Sequence, residues 1–401
     1  MKAMGMTCGI GSMLIGARQA GFEIVGNIEW RKYYHALDSA GRNTFRENFN
    51  GAFLVHAIDD LPKEKQEELK GIDLIMGHPE CGNFSILSSA NVNRLDNMND
   101  PGDLPVFVAG IAFFKPRFFV MDNLPWSLDV AFPIEKYMEA LPEYDLFPEW
   151  ISNYHYGNVQ KHRKRFFLIG ALKSERYTFI PGEQNVEQML SVHLKGVEGS
   201  TMANHHPHAK NVITGRARHL LGRDIAGTWE NLADYFRASK EGAVMRYTKA
   251  NGEETSRMGL SKGYWNKHAH VLTGTNPMIH PLTGYPLSPR ERLRVQGAPD
   301  DFVLYGVKVE TDGTWNNDRN TAIIKQTGKF MPVQFCRYVA TQIALHLKGM
   351  KYLEEGKSYK RVIDAHPCID KAKKRFCLSG GYSNQKDVCK ACWLNCKKVG
   401  I

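Results

Sequence analysis

Residues 77–85 read GHPECGNFS, which sets a single cysteine, Cys81, between a proline and a polar turn, directly after the apolar run at residues 73–76. The thiolate is the reactive form of cysteine and needs a polar, accessible setting, so a cysteine at the end of a strand is a candidate nucleophile. Packing is the ordinary alternative for a lone cysteine. Two further apolar runs carry groups that would serve a nucleophile. The run at 117–121 leads into Met121-Asp122-Asn123-Leu124, a carboxylate at a strand end, and QKHRKRFFLIG carries Gln160, Arg163 and Arg165 into the run at 166–170. Near the N-terminus, Thr7-Cys8-Gly9-Ile10-Gly11 precedes a helix-period stretch through Leu14, Ile15 and Ala17, then a strand at 23–28 that ends on Glu29. A glycine turn followed by an acid after the second strand suits a nucleoside, because the backbone approaches the ligand and the carboxylate takes the ribose hydroxyls. Finally, five of the eight cysteines, Cys368, Cys377, Cys389, Cys392 and Cys396, crowd the last 34 residues. The Cys389-x2-Cys392 pair predicts a structural zinc site, with free thiols as the alternative.

These groups need a scaffold that brings strand ends together. The recurring short apolar runs predict alternating strands and helices, an α/β doubly wound sheet whose ligands bind at the carboxyl ends of the strands. The alternation stops near Ala171 and returns at 289–295 and in the periodic helix at 333–347. We therefore expect a catalytic domain at 1–170, an inserted smaller module at 171–285, a return to the catalytic domain at 286–350 and a basic cysteine-rich tail at 351–401. At 401 residues the chain is long enough for such a core with appended modules.

The formal charge of +10 is unevenly placed. Residues 348–401 hold 13 Lys/Arg against 5 Asp/Glu, and residues 201–280 hold 11 against 6 with seven histidines and interleaved aromatics. Such concentrations suit a polyanion, although a solvated face is the plainer reading of the middle segment. No run of apolar residues reaches the length of a membrane span, and a cytoplasmic protein is expected.

The order of these motifs resembles the DNA cytosine-5 methyltransferases along residues 3–347. Their Phe-x-Gly-x-Gly loop looks like Thr7 to Gly11, and their ribose-binding Glu looks like Glu29, followed by Trp30. Their adenine-binding Asp is matched by Asp60, or else Asp59. Their Gly-x-Pro-Pro-Cys-Gln-x-Phe-Ser loop is matched by Gly77, Pro79, Cys81, Phe84 and Ser85, and their Glu-Asn-Val by Asp122-Asn123-Leu124. Tyr156, Gly157, Gln160, Arg163 and Arg165 follow their Tyr-Gly-x-x-Gln and Arg-x-Arg pattern. SPRERLRVQGAPDDF resembles the segment after their target-recognition domain.

The resemblance implies a class I Rossmann-like catalytic domain with an inserted target-recognition domain, S-adenosylmethionine as donor, and double-stranded DNA as partner. It implies Cys81 as the nucleophile at cytosine carbon 6, Asp122 as the carboxyl on the pyrimidine edge, and Arg163 and Arg165 on the base carbonyl or a flanking phosphate. Thr7, Cys8, Gly9, Ile10, Gly11, Glu29, Trp30, Asp60, Pro79 and Leu104 fall at the cofactor. RNA is the less favoured substrate, a monomer is expected, and a phage-encoded origin is among the possibilities for the source.

Four departures fall in the pocket. Thr7 replaces a Phe, Glu80 and Gly82 flank Cys81 in place of Pro and Gln, and Asp122 is one methylene shorter than Glu. Glu80 is a second carboxylate that shares the task of Asp122 or disfavours the thiolate. In KQTGKFMPV the family's Gly-Asn becomes Gly328-Lys329. A lysine beside a sulfonium is unfavourable, so Lys329 either points outward or faces an anionic donor such as carboxy-S-adenosylmethionine, which would give 5-carboxymethylcytosine. A DNA-binding homologue without catalysis is the alternative from another class.

Overall fold

A computed structural model of the chain describes residues 1–29, 38–79, 102–124, 134–181, 188–197, 229–245, 260–272, 278–305, 307–308, 315–316 and 320–350. Its centre is a seven-stranded sheet. The strands are β1 (Lys2–Met6), β2 (Glu23–Ile28), β3 (Phe53–Val55), β4 (Leu74–Gly77), β5 (Phe118–Asn123), β6 (Tyr144–Ser152) and β7 (Lys164–Leu172), in spatial order β3-β2-β1-β4-β5-β7-β6. The first five run parallel, and β7 lies antiparallel between β5 and β6.

Alternation along the strands sorts the core into two layers. Ala3, Leu74, Met76, Phe118, Val120, Phe167 and Ile169 fill one face. Met4, Met6, Ile75, Phe119, Met121, Phe166 and Leu168 fill the other. A sheet covered on both faces reads in sequence as continuous apolar runs, which is why β4, β5 and β7 were legible. Strand β6, YDLFPEWIS, was not among the expected strands. It is an edge strand with four half-buried positions, and it tolerates Pro148 because an edge leaves one side of the ladder unpaired.

Helices cover both faces: α1 (Ser12–Gln19), α2 (Asp38–Asn48), α3 (Lys63–Glu68), α4 (Leu104–Phe114) and α5 (Ile134–Ala140). Beyond the sheet come α6 (Leu190–Leu194), α7 (Trp229–Ala238), α8 (Pro289–Val295), α9 (Asn320–Lys329) and α10 (Val333–Leu347). The SPRE sequence starts α8 through a capping box. The Glu291 backbone N–H donates to Ser288 Oγ at 3.2 Å, and Ser288 N–H donates to Glu291 Oε2 at 2.7 Å. Helix α10 returns to the sheet domain and crosses α1 at Gly16. A Cβ there would lie 2.6 Å from the Arg337 backbone N, so only glycine permits this approach of the two helix backbones.

A second, small sheet comprises β8 (Val244–Met245), β9 (Leu260–Lys262) and β10 (Met278–Ile279), and β11 (Val307–Lys308) pairs with β12 (Trp315–Asn316). A separate cluster of Val159, Leu190, Leu194, Ala269, Leu272, Met278, Leu287 and Val295 packs where the middle segment meets the core. Among the described residues no helix is long and apolar enough to cross a membrane.

Candidate active site

Register brings the chemistry-bearing residues into one row. Ile28 pairs with Met6, Met6 with Gly77, and Gly77 with Met121. The residues one step further along, Glu29, Thr7, His78 and Asp122, therefore line the carboxyl edge of four adjacent strands. This is the edge at which open α/β sheets bind ligands.

The cofactor-loop end of the row is tightly tied. Gly9 N–H donates to Glu29 Oε2 at 2.7 Å, and Asn27 Nδ2 donates to the same oxygen and to the Gly9 carbonyl, both at 3.2 Å. Burial raises the Glu29 carboxyl and these hydrogen bonds only partly oppose it, leaving its pKa at about 7. Gly9 and Gly11 have φ of +59° and +86°, a region that favours glycine. No described residue lies within 4 Å of a Cβ placed on Gly9, so among the described residues the loop backbone there is uncovered, as a backbone cradle for a nucleoside should be. Thr7 takes φ +59° despite its branched side chain, a strained conformation. Its Oγ1 donates to the Met6 carbonyl at 2.5 Å, and its own carbonyl accepts from His78 N–H at 3.3 Å. Cys8 Sγ donates to the Met76 carbonyl at 2.9 Å, and burial pushes its pKa well up, so it serves as packing rather than as a nucleophile. Ile10 is buried in the core layer behind the loop.

At the other end, Asp122 is fully buried and meets Arg165 and His78. Arg165 Nε donates to Oδ1 at 3.0 Å and Arg165 Nη2 to Oδ2 at 2.5 Å, a bidentate fork. His78 Nδ1 lies 2.6 Å from Oδ2. Burial alone would raise the Asp122 pKa, but Arg165 and then His78 outweigh it and hold the carboxyl below its usual value. Asp122 is thus an ionised carboxylate. Asn123 donates from Nδ2 to the Pro79 carbonyl at 3.4 Å, bringing the start of the Cys81 loop against β5.

The remaining motif residues have other partners. Arg163 donates to the main-chain carbonyls of Leu272 at 3.1 Å and Phe330 at 2.8 Å, which braces the middle segment against the C-terminal return. Gln160 donates to Gln296 Oε1 at 2.7 Å and accepts from Leu272 N–H at 2.8 Å. Asn158 donates to the Val295 carbonyl at 3.0 Å and Gln296 to the Thr327 carbonyl at 3.0 Å. Asp60 Oδ2 accepts from the backbone N–H groups of His56 and Ala57 at 3.1 and 3.0 Å, and both Asp59 and Asp60 are exposed. Leu104 is buried in the core, while Asp103 beside it lies close enough to raise the Glu29 pKa. Lys329 is exposed, two residues before Met331, whose N–H donates to Ser12 Oγ at 3.1 Å beside the glycine loop.

Trp30, Glu80, Cys81 and the five tail cysteines lie outside the described residues. Among the described residues no group of three or more His, Cys, Asp or Glu is placed to hold a metal ion. Asn27 and His78 were missed at the level of sequence. A buried asparagine in an otherwise apolar strand, and a histidine in line with Asp122, were the available signals.

The sheet order, the reversed β7 and the acid-tied glycine loop define a class I, Rossmann-like methyltransferase domain. Structural comparison agrees: a prophage-encoded E. coli protein assigned as a DNA modification methyltransferase superposes with a TM-score of 0.61 at 19% identity, covering 87% of this chain and 99% of that one. The family model for C-5 cytosine-specific DNA methylases matches residues 1–345, and the chain belongs to that family. Type II methyltransferase M.HindV of Haemophilus influenzae is 29% identical over 86% of this chain and 96% of its own length. M.DdeI of Desulfomicrobium norvegicum is 22% identical over 90% of this chain and 93% of its own.

Proposed function

We propose that this protein transfers a methyl group from S-adenosylmethionine to carbon 5 of cytosine in double-stranded DNA, with Cys81 as nucleophile. The observation that carries the reading is the row of Glu29, Thr7, His78 and Asp122 along one sheet edge, because it sets a nucleoside-type loop beside a charged base-edge site. Glu29 and the Gly9 backbone would hold the ribose end of the donor, with Ile10, Gly11, Trp30, Asp60, Pro79 and Leu104 completing its surroundings. The donor supplies an electrophilic methyl carbon when bound. The Cys81 thiolate adds to carbon 6 and makes carbon 5 nucleophilic, and the site holds the ring while that charge develops. The target base has to leave the duplex to reach this edge, so residues 171–285 are read as the target-recognition module that grips the DNA.

Duplex DNA containing 5-fluorocytosine tests the nucleophile. The wild-type protein should form a covalent adduct with donor present, and Cys81→Ser should form none; an adduct that survives this substitution would move the nucleophile away from Cys81, and wild-type binding with no adduct at all would support the binding-only alternative. Competition between duplex DNA and tRNA in the same assay separates the substrates.

A second reading rests on Lys329, which stands two residues from the Met331–Ser12 contact beside the cofactor loop. A cation there suits a donor with an anionic end, carboxy-S-adenosylmethionine, and a carboxymethyl product. Nucleoside mass spectrometry after incubation with each donor separately distinguishes the two, and Lys329→Asn should abolish only carboxymethyl transfer. Four of Cys368, Cys377, Cys389, Cys392 and Cys396 would hold a structural zinc ion in the basic tail. One equivalent of zinc released by thiol modification is the expected measurement.

A further inference from the structure

His78 is the charged-row residue to which neither the nucleophile reading nor the cofactor loop gives a task. Asp122 cannot turn toward a base without giving up its fork to Arg165, since Oδ1 and Oδ2 both accept from that guanidinium. Its side chain is also 0% exposed, whereas that of His78 is 15% exposed. His78 Nδ1 lies 2.6 Å from Asp122 Oδ2 and 3.2 Å from Arg165 Nη2; two acceptors at the shorter distance would repel, so the carboxylate, as the nearer partner, favours a proton on Nδ1. Proton transfer by this ring then falls to Nε2, the arrangement in which a buried carboxylate fixes the tautomer and orientation of an imidazole. The missing methylene of Asp122 is made up by a second side chain standing on top of it.

We propose that His78, oriented by Asp122 and Arg165, donates the proton that N3 of the target cytosine takes up as Cys81 adds to carbon 6. This rests on the Cys81 reading above. As the carbon–sulfur bond forms, the ring's π electrons shift toward N3, and the Nε2–H of the imidazolium passes its proton there, leaving a neutral imidazole and a neutral enamine. Carbon 5 then bonds to the donor methyl carbon, and the donor sulfur departs with the electron pair. Carbon 5 loses its proton to solvent, the thiolate is expelled, and N3 returns its proton to Nε2. Among the described residues, the charged groups facing His78 include Asp122 from β5, Arg165 from β7 and Glu29 after β2, whose carboxyl the imidazole lowers in turn. Asp122 favours the imidazolium and Arg165 opposes it.

The test is the pH profile of kcat for methylation of duplex DNA by the full-length protein, with donor and DNA saturating. Wild-type kcat should fall as rising pH removes the imidazolium proton. His78→Gln should lose about 10²-fold in kcat, lose that limb of the profile, and keep its KM for both substrates. His78→Gly should regain activity with added imidazole, a rescue that loss of folding would not allow. Thermal melting within a few degrees of wild type keeps the comparison sound. A His78→Gln enzyme within threefold of wild type, or one that keeps the same pH limb, or a His78→Gly enzyme without imidazole rescue, would overturn the assignment while methylation by wild type leaves the Cys81 reading standing. Absence of any methylated product from wild type would overturn both.

Discussion

Two buried polar clusters share one short stretch of sequence and do opposite work. The trio of His78, Asp122 and Arg165 is charged and lies at the sheet edge. The brace of Asn158, Gln160 and Gln296 is made of neutral amides and ties β6–β7, the middle segment and α8 together. Both draw on the single stretch QKHRKRF, with Gln160 in the brace, Arg165 in the trio and Arg163 pinned to main-chain carbonyls between them. The contrast teaches that neutral amides suffice where the task is to hold parts together, because they satisfy buried groups without desolvating charge. In the trio the buried charges of Asp122 and Arg165 are paired with each other, while Arg163, also buried, is satisfied by main-chain carbonyls.

The largest effect that would break this contrast is Asp122→Ala. It strands the Arg165 guanidinium in the interior, and urea denaturation should show a loss of about 3–5 kcal/mol together with loss of methylation. Asp122→Asn should remove an acid-sensitive component. Because the folded carboxyl titrates below its unfolded value, its stabilisation is present above the unfolded pKa and is lost as pH falls through the folded one.

Glu29 has the opposite sign. Its folded pKa of about 7 exceeds the ordinary 4.5, so the protonated folded form is favoured and stability declines as pH rises between the two values, by about 3 kcal/mol in all. Glu29→Gln should flatten that decline, with denaturation midpoints at pH 5 and pH 8 drawing together, and should weaken donor binding in calorimetry.

Gln160→Ala leaves the Leu272 N–H and the Gln296 carbonyl oxygen without their partner, and a cost of about 1–3 kcal/mol per orphaned group is expected in thermal melts. The pH profile of the remaining activity should be unchanged, and a changed profile would place Gln160 with the trio instead. Gly16→Ala is the smallest change. It puts a Cβ 2.6 Å from the Arg337 backbone N, and a loss of about 1–3 kcal/mol should follow.

Much of this was legible from residue order. Strands buried on both faces announce themselves as apolar runs, and the glycine loop with Glu29 follows from backbone conformation and chain direction. The row across the sheet was not legible, because register depends on which strands lie side by side. His78 looked like a loop residue until Gly77 paired with Met121. Gln160 and Arg163 carried the right motif, yet their side chains close on carbonyls and amides from segments more than a hundred residues away, partners that no local pattern reveals. Strand β6 escaped because an edge strand needs no continuous apolar face.

The crossing of α10 over α1 at Gly16, with the Met331 N–H on Ser12 Oγ, has a consequence for how the protein is made. The glycine loop is translated first, yet the helix that backs it is among the last parts of the sheet domain to leave the ribosome. A nascent chain can therefore pair its early strands and still hold an unfinished cofactor loop. The loop is completed late in synthesis, after residues 171–285 have already emerged.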